Sequence, residues 1–238
     1  MILAAGLGTR MASLSDLCAK PALPVRGLPV ISHLLFWLDS QGIEEVMINL
    51  HHRADTVIEA AERYRPVNMR LSWSHEPIPL GTGGGIRRAA QFLQQSDPSL
   101  VLTGDMLLDL DLTSLVATHR ERRDDTTLLL RDDPRHAEFG TVGLNAEGAI
   151  RRIGSRRNLG GEQIAGIFTG VRLFSARALE SLPKTEAFED LSDWLMPRLS
   201  GGAHDIRGVR LDSEECVWEP VGTPQEYLRA NLEPPILS

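Results

Sequence analysis

At 238 residues, with 42% apolar and 24% charged residues, the chain has ordinary globular composition and the length to bury a large core, which excludes a disordered or repeat-built molecule. Its 25 basic and 32 acidic residues give a net charge of −7, which excludes a broad basic face for nucleic acid but allows a local basic cluster around a small anion. Two cysteines without CxxC spacing, Cys18 and Cys216, exclude a disulfide framework and point to a reducing, cytoplasmic setting.

Met1 to Ala5 is an apolar run stopped by Gly6, which predicts a buried strand leading into a long loop marked by Gly8, Pro21, Pro24 and Gly27. A helix follows Pro29, with Ile31, Leu34, Leu35 and Leu38 on one face and Gly42 at its end. The run from Pro29 to Leu38 is the longest apolar stretch. It holds Ser32 and His33 and falls short of the about 18 residues a membrane span needs, so no membrane partner is expected. The start lacks the basic and apolar regions of an export signal.

Strand Glu44 to Leu50, helix Ala54 to Tyr64, strand Met69 to Ser74, helix Ile86 to Gln95 and strand Leu100 to Thr103 continue the alternation. Such alternation implies right-handed βαβ crossovers and a three-layer, Rossmann-like, mostly parallel sheet with helices on both faces and ligands beyond the strands' carboxyl ends. After Asp111 the pattern loosens into a helix near Leu115 to Arg122, a strand Thr126 to Leu130 and a hairpin turning at Asn145 to Gly148. Helices Ala176 to Leu182 and Leu191 to Leu199 follow, then the capping box Thr223-Pro224-Gln225-Glu226. One continuous domain over 1–238 is expected.

Three segments offer chemistry. Leu3-Ala4-Ala5-Gly6-Leu7-Gly8-Thr9-Arg10 places small residues at a strand end, where backbone can approach a ligand and amides can line an anion cradle, with Arg10 and Lys20 adding charge. No Gly-Lys-Ser/Thr follows and Met11 breaks GxGxxG, so it is neither a P-loop nor the dinucleotide fingerprint. A bare Gly-x-Gly is weak evidence and better suits a structural strand-to-loop turn. The second segment, Glu76 to Gly85, reads as a glycine-rich loop between a strand and a helix. The third, Leu100 to Asp105, is a buried strand ending in Gly-Asp, where a carboxylate is well placed for Mg²⁺, while Asp109 and Asp111 read as helix or turn caps.

The string Leu-Ala-Ala-Gly-x-Gly-Thr-Arg-Met, followed by Lys20-Pro21, resembles the signature of the sugar-1-phosphate nucleotidyltransferases, and further matches run in order to residue 231. The resemblance implies a GT-A-like nucleotidyltransferase architecture with a nucleotide-binding half (1–111) and a sugar-phosphate-binding half (112–238). It implies that Leu3, Ala4, Ala5 and Gly6 contact base and ribose, that Gly8 and Thr9 hold phosphates, and that Arg10 and Lys20 stabilise the triphosphate. Glu76, Pro79, Leu80, Gly81 and Thr82 look like the base-selecting segment. Its Leu-Gly-Thr-Gly-Gly form is similar to mannose- and heptose-1-phosphate guanylyltransferases, and its Thr-Gly-Gly-Gly-Ile form to N-acetylmuramate-1-phosphate uridylyltransferases. Asp105 matches the metal-binding aspartate.

On the acceptor side Gly140, Thr169, Gly170 and Glu189 match sugar-contacting segments, and Arg156 stands where relatives carry the lysine of Glu-Lys-Pro. A solvated basic turn accounts for Arg156 equally well, and helix capping could account for Glu189 and Asp190. The chain departs from the pattern at Trp218-Glu219-Pro220-Val221-Gly222, where relatives place a second metal-binding aspartate at the position of Pro220. Three accounts remain open: Glu219 substitutes as a ligand, water completes the Mg²⁺ shell of Asp105, or catalysis is impaired. The second is preferred, because strand neighbours such as Glu219 and Pro220 face opposite ways.

The implied reaction joins an NTP and a sugar 1-phosphate into an NDP-sugar with release of pyrophosphate, with Mg²⁺ as cofactor. The rival is a binding-only regulatory homologue, motivated by Pro220. A molybdenum-cofactor type of nucleotidyltransferase begins similarly but differs at Ala5 and Thr9. The β-helix or acyltransferase extension of larger relatives is not expected after Asn231. Homo-oligomerisation, base and sugar stay open.

Overall fold

The computed structural model describes every residue except Arg156 and Ser238 and, at Ala12, Ser13 and Arg157, the backbone alone. In chain order its elements are β1 (Ile2–Leu3), a 3-10 helix (Thr9–Asp16), α1 (Val30–Ser40), β2 (Glu45–Leu50), α2 (Ala54–Arg63), β3 (Arg70–His75), α3 (Gly81–Arg88), α4 (Ala90–Leu93), β4 (Ser99–Thr103) and β5 (Met106–Leu110). There follow α5 (Leu112–Arg122), β6 (Thr126–Arg131), α6 (His136–Phe139), β7 (Val142–Leu144), β8 (Ile150–Ile153), β9 (Ile164–Phe174) and α7 (Ala176–Glu180). A π-helix (Asp190–Leu195), α8 (Met196–Ser200), β10 (Ile206–Leu211), β11 (Cys216–Pro220) and α9 (Pro224–Leu232) complete the described chain.

Two compact units form, each from separated stretches of sequence. The first gathers Met1–Pro79, Thr103–Leu110 and the chain from Val217 on; the second gathers Leu80–Leu102 and Asp111–Cys216.

In the first unit β1, β2 and β3 run parallel, with Leu3 beside Asn49 and Leu50 beside His75. Burial explains the sequence pattern: Ile2, Val46, Ile48 and Leu50 are inaccessible, and so are Val30, Ile31, Leu34, Leu35 and Leu38 on α1. α1 is anchored at its far end where the Trp37 indole N–H donates to the Leu110 carbonyl, 3.2 Å away. Val25, Val30, Leu107, Val221 and Ala230 make a second apolar cluster that joins all three stretches of this unit. Half of the capping box forms as read, with the Thr223 hydroxyl accepting from the Glu226 N–H at 3.2 Å, while the Glu226 carboxylate reaches one residue further back and accepts from the Gly222 N–H at 2.7 Å.

In the second unit the eleven-residue β9 is the hub. It pairs antiparallel with β4, β6 and β7, while β10 lies parallel to β6. The parallel ladders of the βαβ pattern therefore hold β1 to β3, and around β9 the sheet is mixed. Between Phe168 and Arg172 the pairing with β6 shifts register, and Gly170 sits there at φ +89°, a backbone angle that favours glycine.

Three sequence expectations change. The glycine cluster is not a loop: α3 starts at Gly81, well before the predicted Ile86. Glycine is a poor helix former, but here the extended segment before the π-helix lies directly on α3, and a Cβ on Gly83 would meet the Phe188 ring at 2.2 Å. Packing thus outweighs propensity. The predicted helix Leu191 to Leu199 is split into the π-helix and α8. Of the two predicted caps, Asp111 does cap α5, accepting from the Thr113 N–H at 2.9 Å, whereas Asp109 lies within strand β5.

Candidate functional site

The first unit gathers its reactive groups where β1 ends. Gly104 donates its N–H to the Leu3 carbonyl at 2.8 Å, an approach that a side chain would obstruct because a Cβ there would sit 2.9 Å from that oxygen. One residue on, the Asp105 carbonyl accepts from the Val221 N–H at 2.8 Å. These two backbone bonds bring the ends of β1, β4 and β11 together, as the positions of Leu3, Asp105 and Pro220 in the sequence would require.

The glycine turn follows β1. Gly8 takes φ +68° and caps the 3-10 helix, whose first turn carries the exposed Thr9 and Arg10. Lys20, in a short 3-10 turn with Pro21, folds back beside Gly8 and places its Nζ 3.5 Å from Asp105 Oδ2. Lys20 is largely enclosed, with its side chain 12% exposed, and Asp105 is 34% exposed. Arg10 runs alongside the Gly222 backbone. So Lys20 and Asp105, 85 residues apart in the sequence, are brought together, while Arg10, on the turn after Gly8, lies against Gly222.

Behind this rim lies a polar bridge that sequence inspection missed. The Ala4 N–H donates to Asn49 Oδ1 at 2.6 Å, and Asn49 Nδ2 donates to Glu76 Oε1 at 2.8 Å. Asn49 and Glu76 are both buried, and the Glu76 carboxylate serves this bridge. The available signal was an asparagine inside an apolar strand, since an amide is buried only with partners. Leu3 and Ala5 are half-buried, Ala4 is buried, and Gly6 is exposed.

Near Pro220 the candidate substitute ligand is engaged elsewhere. Glu219 Oε1 accepts from Arg229 Nε at 2.7 Å and lies 2.6 Å from its Nη2. Pro220 itself is buried. Among the described residues no group of three or more His, Cys, Asp or Glu side chains is arranged to hold a metal. Asp105 offers a single carboxylate, which fits Mg²⁺ in particular, an ion that commonly takes one or two carboxylates and completes its shell with phosphate and water.

The second unit holds the remaining candidates. Leu80 is buried, its carbonyl accepts from the Phe188 N–H at 3.0 Å, and the Gly84 N–H donates to the Phe188 carbonyl at 3.1 Å. Gly81 has φ +70°, and Glu189 Oε2 accepts from the Thr82 N–H at 3.3 Å. Glu189 therefore caps α3, not the helix that it begins, and its carboxylate complements the positive end of α3. Asp190 does not cap either: it forms a buried ion pair with Arg172 at 2.7 Å.

Thr169 is buried in the β9 bulge, where its hydroxyl donates to the Leu129 carbonyl at 3.0 Å beside Gly170. Gly140, at φ +72°, lines a cavity of about 440 Å³ together with Phe139, Phe168 and Met196. Arg156 lies outside the described residues. No described helix is long and apolar enough to cross a membrane, and both cysteines are free.

The family profile described as Nucleotidyl transferase matches residues 1–234. The chain is 28% identical, over 97% of its length, to a UTP–glucose-1-phosphate uridylyltransferase of Synechocystis sp., and 28% identical, over 98%, to a mannose-1-phosphate guanylyltransferase of Mycobacterium tuberculosis. It covers 61% and 63% of those two proteins, so it spans about three fifths of the length of the curated relatives it matches. Among solved structures, HddC from Yersinia pseudotuberculosis superposes with a TM-score of 0.81 at 24% identity, covering 98% of this chain and 97% of that one. HddC has also been solved complexed with GMP-PN, with the same score and coverage. This likeness bears out the α/β fold.

Proposed function

The chain belongs to the nucleotidyl transferase family, and on that footing we propose that it transfers a nucleotidyl group from an NTP to a sugar 1-phosphate, giving an NDP-sugar and pyrophosphate. The observation that carries this reading is the rim of the first unit: Lys20 Nζ 3.5 Å from Asp105, beside the glycine turn that carries Arg10. A cation beside a carboxylate at a strand end, next to a glycine turn that carries a second cation, suits phosphoryl chemistry, where positioning and electrostatics supply most of the catalysis.

An oxygen of the sugar phosphate attacks the α-phosphorus in line, the bond to the β-phosphate oxygen breaks, and pyrophosphate leaves. No covalent enzyme intermediate is required. Arg10 and Lys20 offset the charge that builds on the leaving pyrophosphate. The amides of Gly8 and Thr9 hold phosphate oxygens, and the main chain of Leu3, Ala4, Ala5 and Gly6 holds base and ribose. Asp105 is the carboxylate that would hold Mg²⁺, and the ion, when bound, supplies charge neutralisation and orientation of the triphosphate. Glu219 stays with Arg229 and takes no part.

Residues 1–111 serve as the nucleotide-binding half and 112–238 as the acceptor half. Leu80, Gly81 and Thr82, braced by Phe188 and Glu189, read the base, with guanine and uracil the two candidates. Gly140, Thr169, Gly170 and Arg156 serve the sugar phosphate. Free cysteines and intracellular nucleotide substrates suit the cytoplasm.

Pyrophosphate release with Mg²⁺ tests the reading, using GTP, UTP, dTTP, CTP and ATP against pooled sugar 1-phosphates. Release with GTP or UTP is the expected result. Silence across the panel, from folded protein that still binds an NDP-sugar, would favour the binding-only homologue instead.

A further inference from the structure

Another cavity, of about 370 Å³, is lined by residues of the second unit alone. Its floor is made by buried groups, His119 on α5 and Asp124 just before β6, and its mouth by the exposed Arg120, Arg123 and Arg177. Arg123 ends α5 at φ +54°, a left-handed angle that costs an arginine more than a glycine. The carboxylates nearby are engaged. Asp124 pairs with Arg207 and accepts from the Thr127 hydroxyl at 2.9 Å, and Asp125 holds Arg177 at 2.6 Å. Arg120 donates from Nη2 to the Asp97 carbonyl at 3.0 Å, and neither it nor Arg123 has a carboxylate partner among the described residues. Two guanidiniums therefore keep most of their donors for a ligand.

The floor adds an acceptor. Asp124, in its ion pair with Arg207, can only accept, so the single hydrogen of the Thr127 hydroxyl points to it. That hydroxyl must then accept from His119 Nδ1, 2.8 Å away, which puts the ring's hydrogen on Nδ1. Burial lowers the His119 pKa, and the Arg120 guanidinium acts in the same sense, against the pull of Asp124 and Asp97, so the ring is neutral at pH 7. Nε2 is therefore a bare lone pair, without a partner among the described residues. Ser175 cannot serve it, because its hydroxyl donates to Asp125 at 3.0 Å. A buried acceptor left unmatched is costly, which favours a ligand that brings a hydrogen.

Donors at the mouth and a lone pair on the floor call for a ligand that is anionic yet still carries an acidic hydrogen. Phosphate meets both demands near neutral pH, whereas sulfate, of similar size and shape, has no hydrogen to give. We propose that this cavity is a phosphate site, with Arg120 and Arg123 on the oxygens and the P–O–H hydrogen on His119 Nε2. The volume admits inorganic phosphate or the phosphate head of a small ester. The site goes beyond the transferase reading and does not depend on it, because Arg10, Lys20 and Asp105 belong to the first unit.

The test titrates the full chain, isotopically labelled at histidine, with inorganic phosphate, glycerol 3-phosphate and sulfate at fixed ionic strength and pH 7. The readout is the His119 Nε2 resonance, assigned by its loss in His119→Gln. At least one phosphate compound is expected to shift that resonance to saturation, and the tighter of the two names the source. Sulfate should bind about tenfold more weakly, the worth of one hydrogen bond to an ion. No saturable shift with either phosphate compound overturns the proposal, and so does sulfate that binds as tightly as phosphate. Arg120→Gln combined with Arg123→Gln, two exposed positions where the fold is little disturbed, should weaken phosphate binding by about tenfold or more; unchanged affinity also overturns it. Lys20→Ala should leave the His119 response intact, and loss of the response there would place the phosphate at the first unit's rim instead.

Discussion

Lys20–Asp105 in the first unit and Arg172–Asp190 in the second are the same chemical pairing in two environments. The first is separated by 3.5 Å, with Asp105 34% exposed; the second is closed to 2.7 Å, with both side chains 3% exposed. A loose, half-open pair can be parted by an incoming phosphate at little cost. A sealed pair cannot be parted without leaving a charge stranded in a poorly polarisable interior. The first pair accordingly stands open to solvent, and the second is turned inward, with the Arg172 guanidinium over the Phe168 ring.

Substitutions should separate these two uses. Arg172→Ala leaves Asp190 buried without its partner and should cost about 3–5 kcal/mol, read as a lower urea midpoint. A loss below about 1 kcal/mol would show that the pair is not an internal brace. Lys20→Ala and Asp105→Ala should each slow pyrophosphate release by about 10²–10³-fold. Their unfolding free energy should change by no more than about 1 kcal/mol, as for a partly exposed pair. A variant that melts early yet turns over normally would exchange the roles of the two pairs.

Gly83→Ala sharpens the contrast through its sign. Helix propensity alone predicts a gain of about 1 kcal/mol, but the new Cβ would meet the Phe188 ring at 2.2 Å, so a loss of about 1–3 kcal/mol is expected by thermal melting.

The smallest effect concerns pH and belongs to the second unit. His119 is buried, and its Nδ1 lies 2.8 Å from the Thr127 hydroxyl, which donates to Asp124 at 2.9 Å. Burial lowers its pKa below the ordinary 6.5, against the opposing pull of Asp124 and Asp97. The folded state thus binds this proton less readily than the unfolded state. Its contribution to stability is complete above pH 6.5 and is lost as pH falls through the depressed folded value. Urea titrations across pH 7 to 5 should show that slope, and His119→Gln should flatten it.

How far the molecule could be read beforehand follows the distance over which its parts interact. Helix α1, the parallel strands β1 to β3 and the Thr223 cap rest on periodicity and caps within a few residues, and they formed where expected. The Gly-x-Gly-Thr-Arg string, Lys20 and Asp105 were legible as chemistry because each sits at a strand end or turn. The helical state of Gly81 to Gly85 was not legible, since it depends on Phe188, about a hundred residues later. The capping of α3 by Glu189 and the bridge from Ala4 through Asn49 to Glu76 likewise arise only once strands and helices are in register. Composition could not foretell the cavity beside Gly140 either, because its lining is drawn from α6, β7, β8, β9, the π-helix and α8.

The interrupted order of the first unit also governs its assembly on the ribosome. Its apolar cluster needs Val25, Val30 and Leu107, but also Val221 and Ala230, which are synthesised more than a hundred residues later. At about 5–20 residues per second that interval is on the order of ten seconds. During it the nascent first unit lacks the strand and helix that close its interior, while the second unit is being translated and is complete at Cys216, before Val221 is reached. Nascent-chain protection therefore should reach β9 and β6 before it reaches α1, although α1 emerges first.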